Sequence, residues 1–426
     1  MKKYLLYLLL LTTVFTACKK DKIDPPAGER PEERATAAVK AYKDLLVGNT
    51  NGWKAYLFPA GGGVNLFSMK FTDKNRVTML SDINTTTNTT SLESSYMLKQ
   101  QLSPSLLFDT YSYIHLLADP DPSVNGGAAG AGSYSDFEFF VDKVVGDTVK
   151  LYGNRLGSAL LLVKATSAAD YESFTKGTAD VLNKFSQLRT YFKRVTIGGI
   201  DCEFKFDAKT KVLNFSYLDN GNLVSTSAAF YVDGSTSTMV FSNPVTIGTT
   251  KITDIKAITF DATNRVIGGT INGTAVQFKE AIAPLKYDLT AAATFYNQPP
   301  NGSYWSSNDG FTVDNVIDAY KVKTIPNFGF LLFYPKYNAA YSRLGFISNN
   351  TYQPYGPAPV ASFPANGRIV FTNFGSFGTP PAALAPVVTA TSNKFFDTGG
   401  FYVIKTGFNK YDLVSATDAR AWVSFY

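Results

Sequence analysis

The chain has 426 residues, 17% of them charged and 14% aromatic, with a formal net charge of +6. That length allows two or more domains, the composition suits β-structure and excludes a disordered polypeptide, and a mild, scattered positive balance without a basic block argues against nucleic acid as a partner. One histidine, His115, and two cysteines, Cys18 and Cys202, leave zinc sites and Ser-His-Asp or Cys-His catalysis almost without material, so no metal and no cofactor is expected.

Lys2 and Lys3 precede an apolar run from Tyr4 to Leu11, and Phe15-Thr16-Ala17-Cys18 follows. This is the layout of a bacterial lipoprotein export signal over 1–17, with Cys18 lipidated as the first mature residue. Cleavage leaves 426 − 17 = 409 residues. No later stretch approaches the roughly 18 apolar residues a spanning helix needs, so the expected membrane partner is reached through the N-terminal lipid alone. Residues 19–33 read as a charged tether that spans roughly 50 Å if fully extended. The spacing of Ala38, Tyr42, Leu45 and Leu46 predicts a short helix over 32–47, closed by Gly48, so that tether and helix together occupy 18–49.

From Asn51 the apolar period becomes two. Eight predicted strands run over 53–58, 64–71, 76–82, 94–99, 106–113, 137–145, 148–152 and 159–164, separated by Gly, Asn, Asp and Pro clusters. Tight turns between them predict an antiparallel, barrel-like (lipocalin-like) domain over 50–166, with Trp53 as an interior plug. Alternation places Phe137, Phe139 and Val141 on one face and Asp136, Glu138 and Phe140 on the other. Over 167–195 the period turns helical, Tyr171, Phe174, Val181, Leu182, Phe185, Leu188 and Phe192 forming a stripe behind a Ser167/Asp170 cap. Gly177 weakens this helix, which reads as a connector packed on the first barrel.

The region 196–426 is β again, a sandwich or barrel, with a division into 196–290 and 291–426 as one arrangement. Asn220-Gly221 and Asn272-Gly273 are hairpin turns. Phe71 and Val77, Phe206 and Val212, and Phe260 and Val266 bracket three similar polar turns. They read as one turn type used three times, with a duplicated barrel as the alternative. The whole is mainly β.

Asn51-Gly-Trp53, SSY at 94–96, LLFDTYSYIHLLADP at 106–120, SDFEF at 135–139 and LYGNRLG at 151–157 resemble a Bacteroidota lipoprotein family, domain of unknown function 4302. The resemblance covers roughly residues 30–165 and departs at Asn154 and Arg155, where the family tends to carry a lysine pair. It implies a lipoprotein of the outer membrane, at the cell surface or on the periplasmic face, working with a polymer-uptake complex. It implies no catalytic residue.

Candidate chemistry is sparse. His115 reads as a half-buried structural histidine before it reads as a base or ligand. Asp119 and Asp121 suggest a Pro-Asp turn more than a calcium loop. Asp136 and Glu138 could form the carboxylate pair of a polysaccharide hydrolase, although paired acids on a wet strand face are common. Exposed aromatics are the stronger signal: Tyr304 and Trp305, with Asn308 and Asp309, resemble a sugar-stacking loop, and Tyr352 and Tyr355 occupy a similar one. The expected function is non-catalytic glycan or polymer binding. A carrier holding an apolar molecule in the first barrel and a hydrolase are the alternatives.

Overall fold

The computed structural model describes residues 30–101 and 103–426. The export signal, Cys18 and the tether through residue 29 lie outside the described residues. The chain is mainly β: two closed eight-stranded antiparallel barrels precede sheets of four and six strands that form a half-barrel.

In the first barrel β1–β8 are Trp53–Phe58, Asn65–Phe71, Arg76–Ser81, Leu92–Lys99, Ser105–Phe108, Glu138–Val145, Thr148–Gly153 and Ala159–Lys164. Each pairs with its sequence neighbour, and β8 returns to β1, Lys164 opposite Trp53. Closure removes the exposed edges that an open meander would present. Alternation turns Trp53, Ala55 and Leu57 toward Phe67, Met69 and Phe139, and all six are fully buried. The Trp53 indole N–H donates to Leu46 O at 2.9 Å, tying the helix Pro31–Gly48 to the barrel. Phe137 departs from the expected inner face. It precedes β6, is 41% exposed and packs on the His115 ring, so Phe139 and Val141 fill the interior without it.

The connector helix is Ala168–Ser186, and Ser167 Oγ caps it by accepting from Asp170 N. Its first half lies on the first barrel, where Asp170 pairs with Lys54 at 2.9 Å and Ser68 donates to Tyr171 O at 2.8 Å. Its second half and the turn after it belong to the core of the second barrel through Val181, Phe185 and Leu188. The helix is therefore shared between the barrels, not packed on the first alone. Gly177 explains itself here: a Cβ would lie 2.4 Å from Gly234 O, so a residue that weakens the helix permits its close approach to the second barrel.

In the second barrel β9–β16 are Phe192–Ile197, Ile200–Asp207, Val212–Asp219, Asn222–Asp233, Thr238–Ile247, Thr250–Asp261, Val266–Ile271 and Thr274–Ala281, again neighbour to neighbour, with β16 returning to β9. Residues 192–195, at the end of the expected connector, are already strand. The repeated Phe–Val segments are all hairpins. Asp207 and Asp261 each accept from backbone N–H groups two and three residues on, whereas Thr72 accepts from Arg76 N in the first segment. Turn chemistry accounts for two of the three. The barrel meander itself is also repeated, and the turns at 71–77 and 206–212 both join second strand to third. Lys211 bridges the barrels to Asp82 at 2.5 Å, and Tyr56 donates to Asp233 at 3.1 Å.

In the half-barrel β17–β26 are Trp305–Ser307, Phe311–Val313, Phe328–Tyr334, Arg343–Ser348, Thr351–Tyr352, Gly356–Ser362, Arg368–Phe377, Phe401–Gly407, Lys410–Ser415 and Ala421–Phe425. The four-stranded sheet runs β17-β19-β20-β21 and the six-stranded sheet β18-β26-β25-β24-β23-β22. Phe295 from the helix Ala291–Asn297 and Phe395 from the helix Ala385–Phe395 pack on Phe333 in a shared aromatic core. The loops expected around Tyr304 and Trp305 and around Tyr352 and Tyr355 instead hold β17 and β21 and run into β22. Strands of two or three residues are too short for alternation to announce them. Tyr191 donates to Asp412 at 2.7 Å and joins this unit to the second barrel. Among the described residues no helix is long and apolar enough to cross a membrane.

Candidate functional site

The site begins with the pairing of β17, β19 and β20. Trp305 stands opposite Phe333, and Phe333 opposite Leu344, so these three face the core. Because side chains alternate, Tyr304, Tyr334 and Arg343 fall on the other, outer face. The edge strand β21 adds Tyr352, paired with Ile347. The loop after β19 adds Tyr337 and Tyr341, and the end of β23 adds Phe374 and Phe377.

These side chains form one continuous aromatic surface. Tyr304 stacks on Phe330 at 5.9 Å and lies 6.4 Å from Tyr334, which meets Tyr337 edge-on at 5.5 Å. Tyr341 stacks on Phe374 at 5.1 Å and approaches Phe377 at 5.9 Å. At the centre the Arg343 guanidinium lies 4.4 Å from the Phe377 ring, 4.9 Å from Tyr352 and 5.4 Å from Tyr337. Such contacts favour a cation over ring faces. Arg343 is only 8% exposed, while Tyr304, Tyr337, Tyr352 and Phe374 are 39%, 40%, 38% and 62% exposed. Clustered exposed rings of this kind mark contact surfaces more often than isolated ones do. Burial raises the Tyr352 hydroxyl pKa, Arg343 opposes that rise, and Tyr334, Tyr304 and Tyr337 add to it, so the phenol remains a hydrogen-bond donor at neutral pH.

The predicted residues thus fall in three places. Tyr304 and Tyr352 belong to the platform. Trp305 and Tyr355 do not: Trp305 is fully buried, stacks on Phe295 at 5.0 Å and donates its indole N–H to Phe295 O at 2.8 Å, and Tyr355 is 2% exposed beside Phe346. Neither ring has a face free for a ligand. Asn308 and Asp309 line a separate cleft of about 370 Å³ with Trp422 and Tyr426, where Tyr426 OH accepts from Asn308 N at 3.0 Å and Asp309 pairs with Lys323.

Asp136 and Glu138 both line one pocket of about 290 Å³, but each carboxylate is already engaged by other groups. Asp136 is buried and accepts from the backbone N–H groups of Arg155, Leu156 and Ser158 at 2.9–3.0 Å. A Cβ on Gly153 would overlap its carboxylate at 2.0 Å, so SDFEF and LYGNRLG meet as a loop clamp. Glu138 turns instead to Gln101 at 2.9 Å and Lys99 at 3.6 Å. His115 is held through both ring nitrogens, Nδ1 near Ser112 N at 3.1 Å and Nε2 near Phe108 O at 3.1 Å. Burial lowers its pKa, against the backbone contacts and Asp109. Asp119 accepts from Tyr111 OH and Asp121 caps the short helix Pro122–Asn125. Among the described residues no three His, Cys, Asp or Glu side chains converge as a metal site would require.

Sequence reasoning missed Tyr334, Tyr337, Tyr341, Arg343, Phe374 and Phe377. A readable signal existed: between Asp318 and Asp397 the chain has no acidic residue, a run in which aromatics and cations stand without counter-charge.

Fold and site together define a serial β-barrel protein with an aromatic surface platform. The chain belongs to the family described as domain of unknown function (DUF4302), whose model matches residues 28–259. That match takes in the first barrel, the connector and the second barrel into β14, farther than the resemblance over 30–165, and it stops before the platform. No curated protein matches the sequence. Among solved structures, the octameric penicillin-binding protein homologue from Pyrococcus abyssi is similar at 11% identity over 36% of this chain and 37% of that one, with a TM-score of 0.16. This chain thus spans little more than a third of that protein's length. The DNA polymerase III β chain of Streptococcus pneumoniae is 9% identical over 91% of this chain and 97% of its own, with a TM-score of 0.15. Likenesses this loose carry no structural inference.

Proposed function

We propose that the protein is a non-catalytic, lipid-anchored envelope protein of a Bacteroidota-type outer membrane that binds a glycan or other polymer at the aromatic platform for an uptake system. The observation that carries this reading is the continuous surface of half-exposed rings around Arg343. Ring faces cover the C–H side of a pyranose, and the phenolic hydroxyls of Tyr304, Tyr337 and Tyr352 meet its hydroxyl groups. The lipoprotein signal ending at Cys18 and the tether after it support presentation at the membrane surface.

The test is binding of the mature chain, with Cys18 replaced by Ser, to a panel of neutral and acidic polysaccharides by isothermal titration. Tyr352→Ala combined with Phe374→Ala removes two exposed rings, and the expected loss is tenfold or more in affinity for whichever polymer binds. Unchanged binding in that double variant, or no binding to any polymer, would overturn the reading.

A further inference from the structure

Arg343 is the most buried cation among the described residues. Arg194 has Glu203 at 2.7 Å and Arg265 has Glu280 at 2.9 Å, whereas Arg343, more buried than either, has no carboxylate partner among the described residues. A guanidinium carries five N–H donors. One Nη2 donor meets Gln353 O at 2.8 Å and one Nη1 donor meets Tyr337 OH at a long 3.4 Å. Nε is buried and has no acceptor. Three donors are therefore uncommitted. The rings of Phe377, Tyr352 and Tyr337 offset part of the charge through their faces, but they supply no acceptor for N–H groups at the guanidinium edge. A buried cation without a counter-ion is costly, and an anion reaching the remaining Nη donors would provide both charge and acceptors.

The surrounding chain points the same way. From Asp318 to Asp397 no acidic residue intervenes, while Lys321, Lys323, Lys336, Arg343, Arg368 and Lys394 do. Lys323 and Lys394 are paired with Asp309 and Asp397, which lie outside the run. Lys336, next to Tyr337 in sequence, lies 5.9 Å from the Tyr296 ring without a carboxylate, a second cation in the loop that carries two platform rings.

We propose that the platform selects an anionic polysaccharide, one carrying carboxylate or sulfate groups along a stackable sugar chain, and that Arg343 is the residue that reads the anionic group. The inference rests on the platform being a glycan site. Neutral rings hold the sugar, and the single central guanidinium sets the preference for charge.

The experiment uses the mature chain with Cys18 replaced by Ser and four probes: polygalacturonate, its methyl-esterified form, dextran sulfate and dextran. Titrations at two salt concentrations read the electrostatic share, which weakens as salt rises. At least one polyanion is expected to bind tenfold or more tighter than its neutral counterpart. Preference for polygalacturonate identifies a uronate ligand and preference for dextran sulfate a sulfated one. Arg343→Gln is expected to remove that preference, and Arg343→Lys to restore part of it, since the charge returns without the planar fork. Circular dichroism of both variants checks folding, and Lys336→Gln gives a second, exposed probe expected to weaken polyanion binding by a few fold. A neutral polymer bound as tightly as its charged form, or a charge preference unaltered in folded Arg343→Gln, overturns this inference and leaves the platform reading standing. Polyanion binding unaltered in Tyr352→Ala with Phe374→Ala overturns the platform reading itself.

Discussion

Tyr304 and Trp305 are neighbours in sequence with opposite roles, and separating those roles tests the register on which the site is built. Trp305→Ala deletes a fully buried ring that stacks on Phe295 and meets Tyr411 edge-on at 5.3 Å. Large-to-small truncation of a core aromatic costs about 3–5 kcal/mol. The lost indole donor leaves Phe295 O without its 2.8 Å partner, about 1 kcal/mol more. The expected destabilisation is about 4–6 kcal/mol. With a urea dependence of about 2 kcal/mol per molar for a unit of this size, the midpoint falls by roughly 2–3 M. Three units unfold in this chain, so the transition to follow is that of the half-barrel, by near-ultraviolet circular dichroism of its packed rings. Tyr304→Ala removes a ring that is 39% exposed and rests on Phe330 alone at stacking distance, a loss of about 1 kcal/mol and a midpoint shift of about 0.5 M. Its larger effect is expected on polymer binding. Equal destabilisation by the two substitutions, or a Trp305→Ala protein as stable as wild type, would refute the assignment of inner and outer faces.

Two further outcomes follow from buried charges. Lys211→Met strands Asp82, whose side chain is fully buried, and removes the 2.5 Å link between the barrels, so a loss of about 3 kcal/mol is expected; a cycle with Asp82→Asn, read by urea titration, should recover part of it, and simple additivity would count against a direct coupling. Asp397 accepts from Lys394 Nζ at 2.7 Å, Ser415 Oγ at 2.7 Å, Thr417 Oγ1 at 2.5 Å and Gly399 N at 3.0 Å. Burial raises its pKa, but the hydrogen bonds and charge of Lys394, Thr417 and Ser415 outweigh it and hold the carboxyl below its usual value. A depressed folded pKa gives stability that is complete above the unfolded value and lost as pH falls through the folded one. Asp397→Asn is therefore expected to cost about 2 kcal/mol at pH 7, with the gap to wild type closing only below about pH 4. Thermal melts across pH 2–8 check this, and a gap that narrows above pH 5 would contradict it.

Most of the barrel architecture was legible because it rests on period two and turn residues. In β1, Trp53, Ala55 and Leu57 alternate with half-buried Lys54, Tyr56 and Phe58, a pattern that half-buried strands impose on any sequence that forms them. Interactions between units were not legible. Phe185 occupies a helical stripe whichever barrel receives it, and its stack on Phe206 at 4.6 Å depends on where the second barrel closes. Gly177 carries the same lesson. Its low helix propensity is a local property, but the backbone of Gly234 that it admits lies 57 residues away, since 234 − 177 = 57.

The site was half legible for a related reason. Composition identified aromatic loops around Tyr304 and Trp305 and around Tyr352 and Tyr355, but membership of a platform is decided by which face a residue takes, not by the company it keeps in sequence. Once three residues at 305–307 pair with β19, Trp305 must follow Phe333 inward and Tyr304 must go outward. A loop reading gives both rings to the ligand; a strand reading can give only one. The same rule brings Arg343 out beside Tyr334, its cross-strand partner, where Tyr337, Tyr352 and Phe377 close around it. Rings surround the buried cation on that face, and the acid-free run between Asp318 and Asp397 offers it no counter-charge from its own segment. Aromatic content says that a surface can hold a sugar. On the proposal above, the missing counter-charge selects an anionic one.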